Sequence, residues 1–436
     1  MDLIINPVTN NLQGEITAPS SKSYSHRAFV AASLADGISI IKNPLTTGDI
    51  EITMNILKLL GVKIIKVKDN SYAVKKVSKS LKPIREAIDC RNSGTSIRIF
   101  SALSLIIDGG LSLKGEFIKL KRPILPLLKA LKNLGGSFKV LENQIQIKRE
   151  KQICKPIKIR GDISSQFITA LLFVCPILKC KRKTYIDIEI TTPLVSSPYI
   201  QITIDVLNDF GINLQGDIKN RRFSVICGQK YRSQVFTIPG DFSSAAFIIA
   251  ATVLSRNSSH VIINNLNIQN PQGDKRIIEI LKEMGANIKI DKIRNQIIID
   301  GNLKDYPLKG IEIDCQEIPD LFPILSVIGA FATGKTVLFN ASKVRLKESD
   351  RISIIARELS RMGVKVEEEG DKLIIYHCNN LKGSIIDHEK DHRIAMACVI
   401  AALYADSPSE IKNIEIVRDS YPNFINDLKK LGVSFN

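Results

Sequence analysis

A repeat of roughly seventy residues runs the length of this 436-residue chain and limits what it can fold into. One recurring segment is a helix-like stretch closed by Leu, Met or Phe and then Gly, followed by alternating apolar residues. It appears as LKLLGVKI at Gly61, LKNLGGSFKV at Gly135, LNDFGINL at Gly211, LKEMGANIKI at Gly285, LSRMGVKV at Gly363 and LKKLGVSF at Gly432. The glycines are 74, 76, 74, 78 and 69 residues apart. A glycine just past a helix supplies the left-handed residue that turns the chain.

A second segment recurs out of phase with the first. A turn rich in Ser, Thr or Asp opens a run rich in Ala, Ile and Leu. The six copies begin at Ala18, Cys90, Gly161, Gly240, Glu317 and Glu389, with spacings of 72, 71, 79, 77 and 72. The polar residues are good N-caps. The runs behind them are apolar almost all round, which predicts buried helices. Each copy therefore reads strand, buried helix, strand, amphipathic helix, strand. Six copies predict an α/β chain of two domains with three repeats each. Pro19–Ser21 and Pro239–Gly240 interrupt the pattern and are the expected hinges. This gives a discontinuous domain of residues 1–20 plus 239–436 and an inserted domain of 21–238.

Six buried helix starts carry functional weight. Each offers unsatisfied N–H groups and about half a positive charge. Gathered in one cleft they would contribute on the order of +3, suited to a small, highly charged anion. The formal charge of +17 also points to an anionic partner. Nucleic acid is disfavoured, because stacking aromatics are only 6% of the chain and Trp is absent. The longest uncharged apolar stretch, Ile163 to Leu178, is 16 residues, short of the roughly 20 needed for a spanning helix. The N-terminus has no basic head before an apolar run, so no signal peptide is expected. The eight cysteines form no CxxC pair and the five histidines no metal-ligand spacing. Reduced thiols, a cytoplasmic location and no metal are the expectation.

Several segments can carry chemistry, each with a plainer structural role beside it. Lys22, Ser23 and Arg27 stand at a predicted helix start, as a cap with solvated cations or as an anion cradle. Asn92, Gly94 and Arg98 repeat that logic, and Ser164, Ser165 and Gln166 do so a third time. Arg122, Arg351 and Arg393 each lie beside a helix start, where guanidinium groups bind carboxylate or phosphate in bidentate fashion. Glu317, Asp320, Glu348 and Asp350 place acids among these cations, as caps or as general bases. Gly329 to Thr336 spells a phosphate loop, but an apolar helix precedes it and a strand follows it. That inverted context predicts a helix-to-strand turn instead. The basic cluster Lys179–Lys183 reads as a solvated loop.

Taken in order, APSSKSYSHR, NSGTSIR, RPI, SSQFITALL, SSPYI, EIPD, RLKESDRI and DHRIAMA resemble the enolpyruvyltransferase family, its EPSP synthase branch (3-phosphoshikimate 1-carboxyvinyltransferases) in particular. The likeness covers nearly the whole chain. It implies a two-domain inside-out α/β barrel of six βαβαββ repeats, with the active site in the interdomain cleft. It implies transfer of the carboxyvinyl group of phosphoenolpyruvate to the 5-hydroxyl of shikimate 3-phosphate, without a cofactor, by a monomer of the shikimate pathway with small-molecule partners only. By the same likeness Lys22, Ser23, Arg27, Ser164, Ser165, Gln166, Ser196, Asp320 and Lys347 hold shikimate 3-phosphate. Lys22, Asn92, Gly94, Arg122, Gln166, Arg351 and Arg393 hold phosphoenolpyruvate. Asp320 is the expected base, and Glu348 with Lys22 the proton donor and acceptor at the methylene. The chain departs from many members at Ile99, where Pro is usual, at Asp419, where Lys is usual, and at Lys343, where Asn is frequent. The sister enzymes that act on a UDP-amino sugar usually carry a Cys before the arginine equivalent to Arg122, and GGLSLKGEFIKLKRPI has none.

Overall fold

The computed structural model describes residues 2–151, 153–180 and 185–435. The chain divides into two compact units, one of Met1–Pro19 with Pro239–Asn436 and one of Ser20–Ile238. Of the basic cluster, Lys181, Arg182 and Lys183 lie outside the described residues.

The apolar runs fold as predicted. Six helices span Lys22–Leu34, Gly94–Leu103, Ser165–Val174, Phe242–Val253, Phe322–Phe331 and His392–Leu403. Every residue of the Phe242, Phe322 and His392 helices is buried. A Leu, Ile, Val or Phe side chain taken from water contributes about 1.5–3 kcal/mol, so these three helices form the centre of the core of the Met1–Pro19 and Pro239–Asn436 unit. The amphipathic partners span Asp49–Leu59, Leu125–Lys132, Pro198–Asp209, Arg276–Met284, Arg351–Arg361 and Phe424–Lys430. In Arg276–Met284, Ile277, Ile278, Ile280, Leu281 and Met284 face inward while Glu279 and Lys282 are exposed. The six closing glycines all have positive φ, from 79° at Gly211 to 116° at Gly285. At Gly135 even a methyl group is excluded, because a Cβ would lie 1.6 Å from the Lys151 carbonyl oxygen.

Each repeat builds one small sheet. In the second repeat Ile88–Asp89 pairs in parallel with Leu111–Lys114 across the Gly94 helix. Leu111–Lys114 then pairs antiparallel with Gln144–Arg149, and that strand with Gly136–Val140. The third and fifth repeats share this order. Two repeats break it by exchanging their first strands. Gln13–Thr17 precedes the Lys22 helix but pairs in parallel with Ser259–Asn264. Val235–Thr237 precedes the Phe242 helix but pairs in parallel with Ile38–Lys42. The sixth sheet has three strands, with Leu3–Ile5 antiparallel to Ser409–Ile411 and Ile385–Ile386 parallel to it. The strand expected after Gly432 does not form, and residues 433–435 are irregular.

Two further expectations meet the structure here. The segment spelling a phosphate loop is a helix-to-strand turn, as its context predicts. The Phe322 helix ends at Phe331, Gly334 has φ 83° and Lys335–Phe339 is a strand. The cysteines are a correction. Cys154 and Cys180 are joined as a disulfide, so the eight are not all free thiols. Spacing could not show this pair, because sheet pairing brings together residues 26 positions apart. Among the described residues no helix is long and apolar enough to cross a membrane.

Candidate active site

Within the Ser20–Ile238 unit, side-chain bonds tie the first turns of the three buried helices together. His26 Nδ1 lies 2.8 Å from Thr53 Oγ1, which lies 2.8 Å from Ser96 Oγ. These contacts join the Lys22 and Gly94 helices through the Asp49 helix. Arg27 Nη2 donates to Thr169 Oγ1 at 3.2 Å, joining the Lys22 and Ser165 helices. Gln166 Nε2 donates to Thr95 Oγ1 at 3.0 Å, and Arg98 Nη1 donates to Gln166 Oε1. The three helices therefore begin side by side. His26 is held neutral, its pKa pushed well down by burial and then by Lys22 and Arg27. Positive charge so close to a helix start suits anions.

The arginines here rest on neutral groups. Arg122 Nη1 donates to Asn92 O at 2.8 Å and Asn92 Oδ1 at 2.9 Å, and the guanidinium lies 5.0 Å from the Phe117 ring centre. Arg98 donates to the Pro123 carbonyl and lies over Phe117 and Phe167. Gly94 sits between them, and a Cβ there would come within 3.1 Å of Arg98 and 3.3 Å of Arg122. A larger residue would crowd both guanidinium ends, which would have to shift by a few tenths of an ångström. Arg27 is enclosed, donating also to Thr203 Oγ1 at 2.8 Å and to the Ser23 and Tyr199 carbonyls. Burial lowers its pKa to about 10. Lys22 Nζ is 3.8 Å from Asp49. Ser93 and Ser164 cap their helices from the side chain, whereas Ser21 does not. Ser165 is buried, Ser23 half-buried, and Ser196 is buried with a left-handed φ of 55°.

Within the other unit, Arg351 organises a set of carboxylates. It is fully buried at the start of the Arg351 helix. Its Nε donates to Asp391 at 2.8 Å, Nη1 to Asp320 at 2.8 Å and Nη2 to Glu348 at 2.7 Å. The three carboxylates hold it protonated and raise its pKa against the opposing cost of burial. Asp320 also meets Lys347 at 3.3 Å and Arg393 at 3.3 Å. Asp391 caps the His392 helix by accepting from Arg393 N, and Asp350 caps the Arg351 helix by accepting from Ser353 N. Asp320 does not take that role, since the Phe322 helix has no side-chain cap. Its carboxylate serves the cations instead.

Sequence reasoning placed Arg98 in a possible anion cradle but in neither substrate-binding set, though it stands four residues after Gly94 as Arg27 stands after Ser23. It missed Arg345 and Asp274. Arg345 Nη1 donates to both Asp350 oxygens, and Nη2 to Glu368, fixing the loop that carries Lys347 and Glu348. Asp274 is buried, accepts from Ser243 Oγ and faces Asp320 and Arg393. Burial and the Asp320 charge push its pKa up to about 7. Lys343 is half-buried in the short helix Ser342–Leu346. Asp419 is half-buried and Arg418 exposed in Ile414–Asp419.

Cation-rich helix starts in one unit and braced carboxylates in the other are the equipment of an enzyme that binds small anions and moves protons. The sequence profile of the EPSP synthase family (3-phosphoshikimate 1-carboxyvinyltransferase) matches residues 7–428. The chain is 43% identical to the 3-phosphoshikimate 1-carboxyvinyltransferase of Methanocaldococcus jannaschii, covering 100% of this chain and 99% of that one. It is 36% identical to the enzyme of that name from Clostridium novyi, over 98% of this chain and 96% of the other. The EPSP synthase structure from Acinetobacter baumannii superposes with a TM-score of 0.81 at 26% identity, over 100% of this chain and 99% of that one. The chain belongs to the EPSP synthase family, and its fold is that family's two-domain inside-out α/β architecture.

Proposed function

We propose that the two groups divide the work of one reaction between them. The reaction is that of the family: the 5-hydroxyl of shikimate 3-phosphate adds to C2 of phosphoenolpyruvate, and phosphate leaves. Lys22, Asn92, Gly94, Arg122 and Gln166 bind phosphoenolpyruvate together with Arg351 and Arg393. Lys22, Ser23, Arg27, Ser164, Ser165, Gln166 and Ser196 bind shikimate 3-phosphate together with Asp320 and Lys347. Arg27 contributes mainly by positioning, because four of its N–H bonds already hold Ser23, Thr169, Thr203 and Tyr199. The reading requires both groups to act on one bound pair of substrates.

Chemistry assigns the remaining roles. Addition takes a proton from the attacking hydroxyl and gives one to the methylene carbon. Asp320 is the base and returns to its braced state among Lys347, Arg351 and Arg393 after each turn. Glu348 and Lys22 deliver the methylene proton, then remove one from the resulting methyl as the C2–O bond to phosphate breaks. Through both steps the adduct keeps its carboxylate and phosphate, which the arginines hold. At 4 Å each such pairing is worth about 4 kcal/mol at an effective dielectric of 20. The protein works as a monomer in the cytoplasm, with small-molecule partners and neither nucleic acid nor membrane.

The observation that carries this reading is the single carboxylate of Asp320 contacted by Lys347, Arg351 and Arg393. The test is release of phosphate from phosphoenolpyruvate only when shikimate 3-phosphate is present. Asp320→Asn is expected to lower kcat by about 100-fold or more while shikimate 3-phosphate still binds. Retained turnover in that variant, or equal turnover with a UDP-amino sugar, rejects the assignment.

A further inference from the structure

The cysteines of the Ser20–Ile238 unit form a second cluster that the transfer reaction does not use. Cys154 lies between strands Gln144–Arg149 and Ile157–Ile159, Cys180 follows the short helix Cys175–Ile177, and Cys227 follows strand Arg222–Ile226. Backbone bonds from Gly228 N to Leu178 O at 3.0 Å and from Gln229 N to Pro176 O at 2.8 Å bring the segment ending at Cys180 to Cys227. Cys154 and Cys180 are bonded, and Cys227 Sγ lies 2.9 Å from Cys180 Sγ. All three sulfur atoms lie within 4.8 Å of one another and are half-buried. A disulfide alone needs two cysteines. The third sulfur, drawn from another strand, makes a convergent set of soft donors.

We propose that the reduced cluster is a three-thiolate site for a thiophilic metal ion, Cu(I) in particular. Thiolates select soft ions. Structural zinc takes four protein ligands, and the cluster gathers three cysteines among the described residues. Three donors suit the trigonal coordination open to Cu(I). The disulfide must first be reduced. A dithiol reductant gives two electrons and two protons to the Cys154–Cys180 bond and becomes a disulfide itself. The Cu(I) ion then displaces three protons, one from each of Cys154, Cys180 and Cys227. The neighbours in sequence, Lys155 and Lys179, are exposed cations that offset the negative charge of the loaded site. The site is thereby closed by oxidation and opened by reduction.

The test is an anaerobic titration of the phosphine-reduced full-length protein with Cu(I) supplied as its bicinchoninate complex. One copper per chain is expected, protecting Cys154, Cys180 and Cys227 from alkylation. Cys227→Ser should bind at least about 100-fold more weakly, since losing a mere outer-shell partner already costs 10–100-fold. Cys154→Ser should behave alike. Cys378→Ser, in the other unit, should bind as the parent protein does. The unreduced protein should take no copper. Undiminished affinity in Cys227→Ser, no uptake by the reduced parent, equal loss in Cys378→Ser, or preference for Zn(II) over Cu(I) in direct competition would each overturn the proposal.

Discussion

The two groups of charged residues use the same side chains under opposite conditions. In the Ser20–Ile238 unit, Arg98 and Arg122 rest on an amide, backbone carbonyls and aromatic rings, all neutral. In the other unit, Arg351 rests on Asp320, Glu348 and Asp391. A guanidinium held by neutral acceptors keeps its positive field for a ligand. One held by three carboxylates spends that field on ordering them. In the proposed reading the first arrangement binds anions, and the second fixes acids and bases in place while Arg351 and Arg393 also meet phosphoenolpyruvate.

The contrast predicts unequal effects. The largest belongs to Arg351→Met. Removing the buried guanidinium that bonds all three carboxylates should destabilise its unit by about 3–5 kcal/mol, read as a lower midpoint in chemical unfolding. An unchanged midpoint would break the contrast. Arg122→Ala should leave that midpoint nearly unmoved, because Asn92 regains water. Its kcat/KM for phosphoenolpyruvate should fall by about 10–100-fold, the worth of one charge-assisted hydrogen bond. A large stability loss there would show that the two arginines do the same job.

The third effect is a pH slope. Asp274 holds its proton up to about pH 7, above the usual carboxyl range. A raised carboxyl pKa contributes stability in full below the unfolded value, and that contribution is lost as pH rises through 7. Asp274→Asn should therefore match the parent in acid and gain on it progressively between about pH 4 and 7. Thermal unfolding across that range checks it, and parallel curves for the two proteins would remove Asp274 from the charged network.

Local features were legible in the sequence and long-range ones were not. Helix starts at Lys22, Gly94 and Ser165, and the left-handed glycines, follow from capping and φ preferences within a few residues. The inverted context of Gly334 was equally local. Arg122, Arg351 and Arg393 stood out by their places beside helix starts, and the family likeness added the ligand expected for them. Asp274 was missed because its environment is made by Ser243, Asp320 and Arg393, none a sequence neighbour. The cysteine cluster was missed for the same reason, since backbone bonds between Pro176–Leu178 and Gly228–Gln229 set it and no short pattern encodes them. The exchanged strands are the extreme case, because Gln13–Thr17 reads locally as the first strand of the wrong sheet.

That exchange orders events on the ribosome. The Ser20–Ile238 unit owns every strand of its three sheets and can close while its successor is still being made. The opening residues must wait. Gln13–Thr17 has no partner until Ser259–Asn264 emerges, and Leu3–Ile5 none until Ser409–Ile411. At about 5–20 residues per second the second wait lasts roughly 20–80 seconds. Until Ser259–Asn264 emerges the nascent chain carries two unpaired strands and afterwards one, and the late-made half has open sheet edges of the kind that aggregate until residues 3–5 and 13–17 cover them.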